Sequence, residues 1–213
     1  MRVHYHTTIP YPVNEYIDFT SLSNEYCFNQ VLTDRTGTGI VSGGSGLTEI
    51  GASQTNNLSF LQEGTGIYFK VIFPSLRSVI RTDKTVKLVK AELFIRPAFL
   101  SFDKARYKLP AQLSLAQTDA SNIIGAQVYD SSGSAVLYAS PVTDDLYGEN
   151  NYYRFNVTGY INQWMTTAGS EDDGFFVMND AASMVNVDRL IINNSFHGSQ
   201  STKLLLYMIV INK

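Results

Sequence analysis

Apolar and polar residues alternate with a period of two along most of the chain, the spacing that puts successive side chains on opposite faces of a β-strand. In "RVHYHTTI", Val3, Tyr5 and Thr7 take one face and His4 and His6 the other. "VKLVKAELFIRP" sets Val89, Ala91, Leu93 and Ile95 against Lys90, Glu92 and Arg96, with Phe94 as an apolar exception on the polar side. "AQLSLAQT" turns Ala111, Leu113 and Leu115 inward, and "NIIGAQVYD" joined through "SSG" to "SAVLYA" reads as a hairpin. "GIYFKVIF", "GFFVMND" and "VDRLIINN" are further strands. "KLLLYMIVI" is apolar on both faces, which predicts a central strand covered above and below.

The period changes once. In "YYRFNVTGYINQWMTT", Tyr153, Phe155 and Val157 alternate as a strand, and then Ile161, Trp164, Met165 and Ala168 recur at i, i+3, i+4 and i+7. That is one apolar stripe of a short helix, with Thr158 placed to cap it through a backbone N–H two or three residues on. The stripe makes Trp164 a plug at one end of the core. Pro74 in "PSLRSVI" suits the first turn of a second short helix. Two prolines in "PYPVNEYIDF" suit an edge or a loop. Residues 33–55, rich in Gly, Ser, Thr and Asn, predict a flexible loop around one short strand at most. Roughly ten to twelve strands with one or two short helices predict an all-β fold, a β-sandwich or jelly-roll-like domain, with residues 1–213 in a single domain.

Composition supports a packed core: 44% of residues are hydrophobic and 16% charged, outside the range of disordered chains. With 13 Tyr and 12 Phe against one Trp, the aromatic residues favour strands. The net charge of −3 comes without a Lys/Arg run, so nucleic acid is not an expected partner. Arg77, Arg81, Lys84 and Lys87 are interrupted by Asp83 and read as a solvated face. Cys27 stands alone between aromatics, so the chain cannot close a disulfide within itself, and the residue reads as a small buried hydrophobe. No apolar run reaches the length of a transmembrane helix, and "MRVHYHTTIP" lacks the apolar core of a signal peptide. A chain that opens directly in strand alternation is expected to be the C-terminal piece of a longer protein.

"YYRFNVTGYINQWMTT…DDGFFVMND" followed by "TKLLLYMIVI" resembles the end of extracellular β-sandwich modules of the DNRLRE type and of TGF-β-like propeptides. Across nearly the whole chain, "YHT", "FNQVLTDRTGTGI", "GIYFKVIFPSLRSVI", "KAELFIRP" and "LPAQLSL" follow one another in the order seen in a Bacteroidetes envelope lipoprotein family. That family is known only as a domain of unknown function, number four-two-seven-zero. The resemblance implies an extracytoplasmic protein anchored to the outer membrane through a lipidated cysteine upstream of these residues. It implies no catalytic residues.

Several groups of residues are candidate sites. His4 and His6, at i and i+2 on a strand, point the same way and are candidate metal ligands that need a third, with His197 the remaining histidine. The competing reading is an exposed polar face. Asp144, Asp145, Glu149, Asn150 and Asn151, and separately Glu171, Asp172 and Asp173, offer oxygens to a structural Ca²⁺, though not at the spacing of an EF-hand. Solvated loops are the alternative. In "DDLYGENNYY", Tyr147, Asn150, Asn151 and Tyr152 combine flat aromatic faces with amides, the ingredients of a carbohydrate site in a loop at a sandwich end. The competing account has Tyr152 merely starting a strand and Tyr147 covering a core edge.

"SGGSG" is not a nucleophile elbow, "DRTGTG" lacks the end of a phosphate-binding loop, and no motif pairs two carboxylates. The expected function is a non-catalytic cell-surface module with a glycan as candidate partner. One alternative is a structural domain docked to the N-terminal remainder of its own chain or to other envelope proteins. The other is a glycan-directed hydrolase.

Overall fold

The computed structural model describes residues 2–8, 11–18, 34–35, 40, 49–62, 64–76, 85–103, 105–166, 173–179, 188–194 and 201–211. Cys27, His197, Glu171, Asp172, Arg77, Arg81, Lys84, Ala168 and most of residues 33–55 lie outside them. The chain divides into two compact units, residues 1–32 and 33–213. The described part of the first is an antiparallel hairpin of β1 (Arg2–Thr7) and β2 (Val13–Asp18), in register from Arg2 opposite Asp18 to Thr7 opposite Val13. Arg2 holds Asp18 across the open end with two hydrogen bonds, Nε to Oδ1 at 2.7 Å and a terminal nitrogen to Oδ2 at 2.8 Å.

In the second unit the described residues form β3 (Leu58–Gln62), β4 (Phe69–Ile72), β5 (Thr85–Ile95), β6 (Leu113–Thr118), β7 (Tyr138–Ala139), β8 (Tyr153–Asn156), β9 (Gly174–Asn179), β10 (Arg189–Asn193) and β11 (Lys203–Ile211), with an α-helix, α1 (Thr158–Thr166), between β8 and β9. Its sheets run β4-β9-β6-β7, β11-β5-β8 and β10-β3, every pair antiparallel. Leu61, Phe69, Leu93, Ile95, Leu115, Phe155, Phe175, Val177 and Leu190, drawn from all three sheets, share one buried core. Taking each such Leu or Phe out of water stabilises the fold by roughly 1.5–3 kcal/mol. The fold is all-β and sandwich-like, as the alternation predicts. Among the described residues no helix is long and apolar enough to cross a membrane.

Two strands depart from simple alternation. Ala91, Leu93 and Ile95 are fully buried on β5 as expected, but Val89 is 54% exposed and Leu88 is buried in its place. The pairing with β11 slips between Tyr207, opposite Lys90, and Met208, opposite Leu88. Val89 is the extra residue of a β-bulge, which reverses the in–out parity of everything before it. "KLLLYMIVI" forms β11, which among the described residues lies at the end of the β11-β5-β8 order. Leu204, Leu206 and Met208 pack on the core, while Leu205, Tyr207 and Ile209 remain exposed. On β6, Leu113 and Leu115 are buried, but Ala111 precedes the strand and is exposed.

The strand-to-helix junction is built differently from the expected cap. The first helical hydrogen bond runs from Ile161 N–H to the carbonyl of Val157, and Asn156 Oδ1 accepts from the Thr158 N–H at 3.2 Å and from its hydroxyl at 2.6 Å. Thr158 Oγ1 instead accepts the Ala91 N–H at 2.9 Å. A side chain thus continues the β5 ladder where the neighbouring backbone leaves it to turn into the helix, so that a buried N–H is not left unpaired. Ile161 is fully buried, and Trp164 stacks on Phe175 with centroids 4.9 Å apart at 23°. Tyr160 and Phe73 complete an aromatic cluster around Trp164. The helix closes an end of the core, as its stripe predicts. After Pro74 the chain turns, with Leu76 N–H donating to the Phe73 carbonyl at 3.0 Å, and Leu76 is helical; residues 77–84, over which the sequence predicts the rest of that short helix, lie outside the described residues.

Candidate functional site

The loop before β8 is a built structure. Backbone hydrogen bonds between Val142 and Tyr152, at 2.8 and 3.0 Å, close its neck. Asp144 Oδ1 accepts the N–H groups of Leu146 and Tyr147, each at 3.1 Å, and the Asp144 carbonyl accepts the Gly148 N–H at 2.9 Å. Gly148 has φ of +69°, a left-handed conformation that a side chain would strain. Asn151, only 6% exposed, uses both ends of its amide within the loop: Oδ1 accepts from Asp144 N–H at 2.8 Å and Nδ2 donates to the Gly148 carbonyl at 2.6 Å. These backbone donors, Tyr147 N–H foremost, hold the Asp144 carboxyl below the usual carboxylate range.

The candidate sugar residues therefore separate. Asn151 and Asp144 are struts of the loop. Tyr147 is 74% exposed beside Leu146 at the tip, and Asn150 is exposed. Tyr152 is half-buried, its ring 5.4 Å from Phe94 and 5.6 Å from the Arg96 guanidinium. The apolar exception on the polar face of β5 is thus explained, since Phe94 supports Tyr152.

Of the metal candidates, His197, Glu171 and Asp172 lie outside the described residues. His4 faces Tyr16 with ring centroids 5.7 Å apart, and His6 Nδ1 lies 2.8 Å from Asn14 Oδ1. Both histidines are exposed on the hairpin. Asp145 is exposed next to Asp144. Among the described residues no three His, Cys, Asp or Glu side chains group as a metal site.

Between this loop and the chain leaving β5 lies a small, shallow depression, open to solvent. Arg96, Pro97, Ala98, Phe99 and Phe102 line one side, and Gly148, Glu149 and Asn151 the other. The first side is also held by local bonds. Ser101 returns to the Ala98 carbonyl through both N–H, at 3.1 Å, and hydroxyl, at 2.7 Å. Asp103 Oδ1 accepts from Ala105 and Arg106 N–H groups at 2.7 and 2.5 Å, and these amides, Arg106 first, lower its pKa. Within the Ala98–Ser101 turn Leu100 sits at φ +58°, 85% exposed, and Phe99 is 58% exposed. A leucine in the left-handed region costs of order 1–3 kcal/mol and persists only where its surroundings impose it.

Arg96, Phe99 and Phe102 were not singled out by the sequence pattern. Arg96 reads there as one more residue on a polar strand face. The available signal was "RPAFLSF", a strand end followed by a proline and three large apolar residues with no strand period. Comparison of the chain with protein-family models, with curated proteins and with solved structures gives no match.

Proposed function

We propose that the chain is a non-catalytic binding module whose ligand is a carbohydrate, held at the depression between residues 96–102 and 148–151. The observation that carries this reading is the depression itself. It combines the exposed ring of Phe99 and the half-buried ring of Phe102 with polar groups from Arg96 and Glu149, the mixture that sugar rings require. Both walls are fixed by their own hydrogen bonds, which limits the ordering cost of binding. Placement of the module on a bacterial envelope rests on the sequence resemblance.

Calorimetry of the full chain against a broad panel of plant and host oligosaccharides tests the proposal. Binding of at least one member, weakened by Phe99→Ala, is expected. A flat response across the panel overturns it.

A second reading, docking to another part of an envelope protein, is favoured by the exposed apolar residues Val89, Leu205, Tyr207 and Ile209 on β5 and β11, since such clusters mark interaction surfaces.

A further inference from the structure

Resting on the docking reading and giving its partner a chemistry, we infer that the outer face of the β11-β5-β8 sheet receives an acidic segment of a partner protein, with apolar side chains between its carboxylates. The register defines the face. Leu204, Leu206 and Met208 of β11 pack on the core, so Lys203, Leu205, Tyr207 and Ile209 point the other way. Their partners on β5 are Phe94, Glu92, Lys90 and Lys87, and Phe94 in turn lies opposite Arg154 of β8. Four cations, Lys87, Lys90, Arg154 and Lys203, thus share these strands' outer face with one carboxylate, that of Glu92. Glu92 is buried and already engaged, its Oε1 2.9 Å from Lys90 Nζ and 3.9 Å from Arg154 Nε. Among the described residues no ion pair engages Lys87 or Lys203. Four cations less one carboxylate leave three positive charges on one face of a chain whose net charge is −3.

Beside the cations runs an apolar lane. Val89, Leu205, Tyr207 and Ile209 are each 36% to 54% exposed. In a protein interface the apolar contacts supply affinity, and the charges select the partner. The selected partner is therefore anionic, and three features favour a protein. Lys90 is held by Glu92 and lies 5.8 Å from the centre of the Tyr207 ring, so this cation is presented at a set position and loses little freedom on binding. β11 ends its strand order among the described residues. A protein segment can pair the backbone groups on that edge, whereas lipid hydrocarbon would leave them unsatisfied. Single-stranded nucleic acid would call for a row of open rings. Of the aromatic residues here Tyr207 is exposed, while Phe94 and Tyr152 pack half-buried against each other.

The experiment is selection of a random peptide library displayed on phage against the full chain, followed by anisotropy titration of the enriched peptides. Those peptides are expected to carry Asp and Glu among apolar residues, and their affinity should fall as salt is added. Lys87→Glu together with Lys203→Glu leaves Glu92 paired and should weaken them roughly tenfold or more. Tyr207→Ser should weaken them while the salt dependence persists. Enriched peptides without acidic residues, or an affinity unmoved by the double charge reversal, overturn the inference and leave the docking reading standing. Co-sedimentation with phosphatidylglycerol vesicles as tight as peptide binding overturns it in favour of a lipid surface. Failure to enrich any peptide overturns both. Should the double variant fail to fold, salt titration of the unaltered chain decides, an affinity indifferent to salt overturning the inference.

Discussion

Replacing Trp164 by alanine is a direct test of how the core is closed. The indole stacks on Phe175 at 4.9 Å and meets Tyr160 edge-on at 6.1 Å and Phe73 at 6.5 Å. Deleting a buried Trp or Phe side chain costs about 3–5 kcal/mol. Trp164 is half-buried rather than enclosed, which places the expected loss near the lower end, about 3 kcal/mol. For a chain of this length a loss of that size lowers the melting temperature by roughly 6–12 °C. Trp164→Phe keeps a ring on Phe175 and should cost only about 1 kcal/mol, since an aromatic pair contributes about 0.5–1.5 kcal/mol beyond its buried area. Urea unfolding followed by far-UV circular dichroism measures both variants, because the change removes the only Trp and with it the natural fluorescence signal. A loss below about 1 kcal/mol for Trp164→Ala would refute the closing role. So would a folded Trp164→Ala variant that has lost sugar binding, since Trp164 does not line the depression.

Two glycines should respond in opposite directions. A Cβ on Gly174 would lie 2.4 Å from the Val71 carbonyl oxygen across the β4–β9 ladder, so Gly174→Ala should lower stability by more than about 2 kcal/mol in a urea melt. Gly159, in the first turn of α1 with open space around its Cβ position, should gain about 0.5–1 kcal/mol on change to alanine. Asn151→Ala removes both side-chain hydrogen bonds that Asn151 makes within the 143–151 loop and should cost about 1–3 kcal/mol, with amide exchange in that loop accelerated; protection equal to wild type would show that the loop holds without them. The Asp144 carboxyl, held low by backbone amides, should titrate below the unfolded aspartate value of about 3.9 when followed by NMR. Its contribution is complete above that value and is lost as pH falls through the lower folded one; an Asp144 midpoint above about 4 would show that the loop does not form as described.

Much of the architecture was legible in residue order, because a strand that buries one face must alternate. Ala91, Leu93 and Ile95, Tyr153 and Phe155, and the Ile161–Trp164 stripe all lie where their spacing places them. The failures have a common cause, which is that pairing between distant strands leaves no local trace. Val89 is apolar and in phase, yet the slip opposite Tyr207 and Met208 turns it outward. Thr158 looks like a helix cap, yet its hydroxyl is taken by Ala91, 67 residues away in sequence.

The candidate site divides in the same way. Local chemistry is written in the loop: Asp144, Gly148 and Asn151 are residues that build turns, and they build one. Sequence order alone established an all-β chain closed by one amphipathic helix, since hydrophobic period and turn residues are properties of neighbours. Which groups share a surface was decided by the tertiary structure. Arg96 and Glu149 stand 53 positions apart in sequence, and only the packing of β5 beside β8 brings the ends of those strands, and the loops they carry, around one depression. An arginine on a polar strand face and a half-buried side chain whose Nε is shielded from solvent are the same residue. The difference lies in the surface that folding wraps around it.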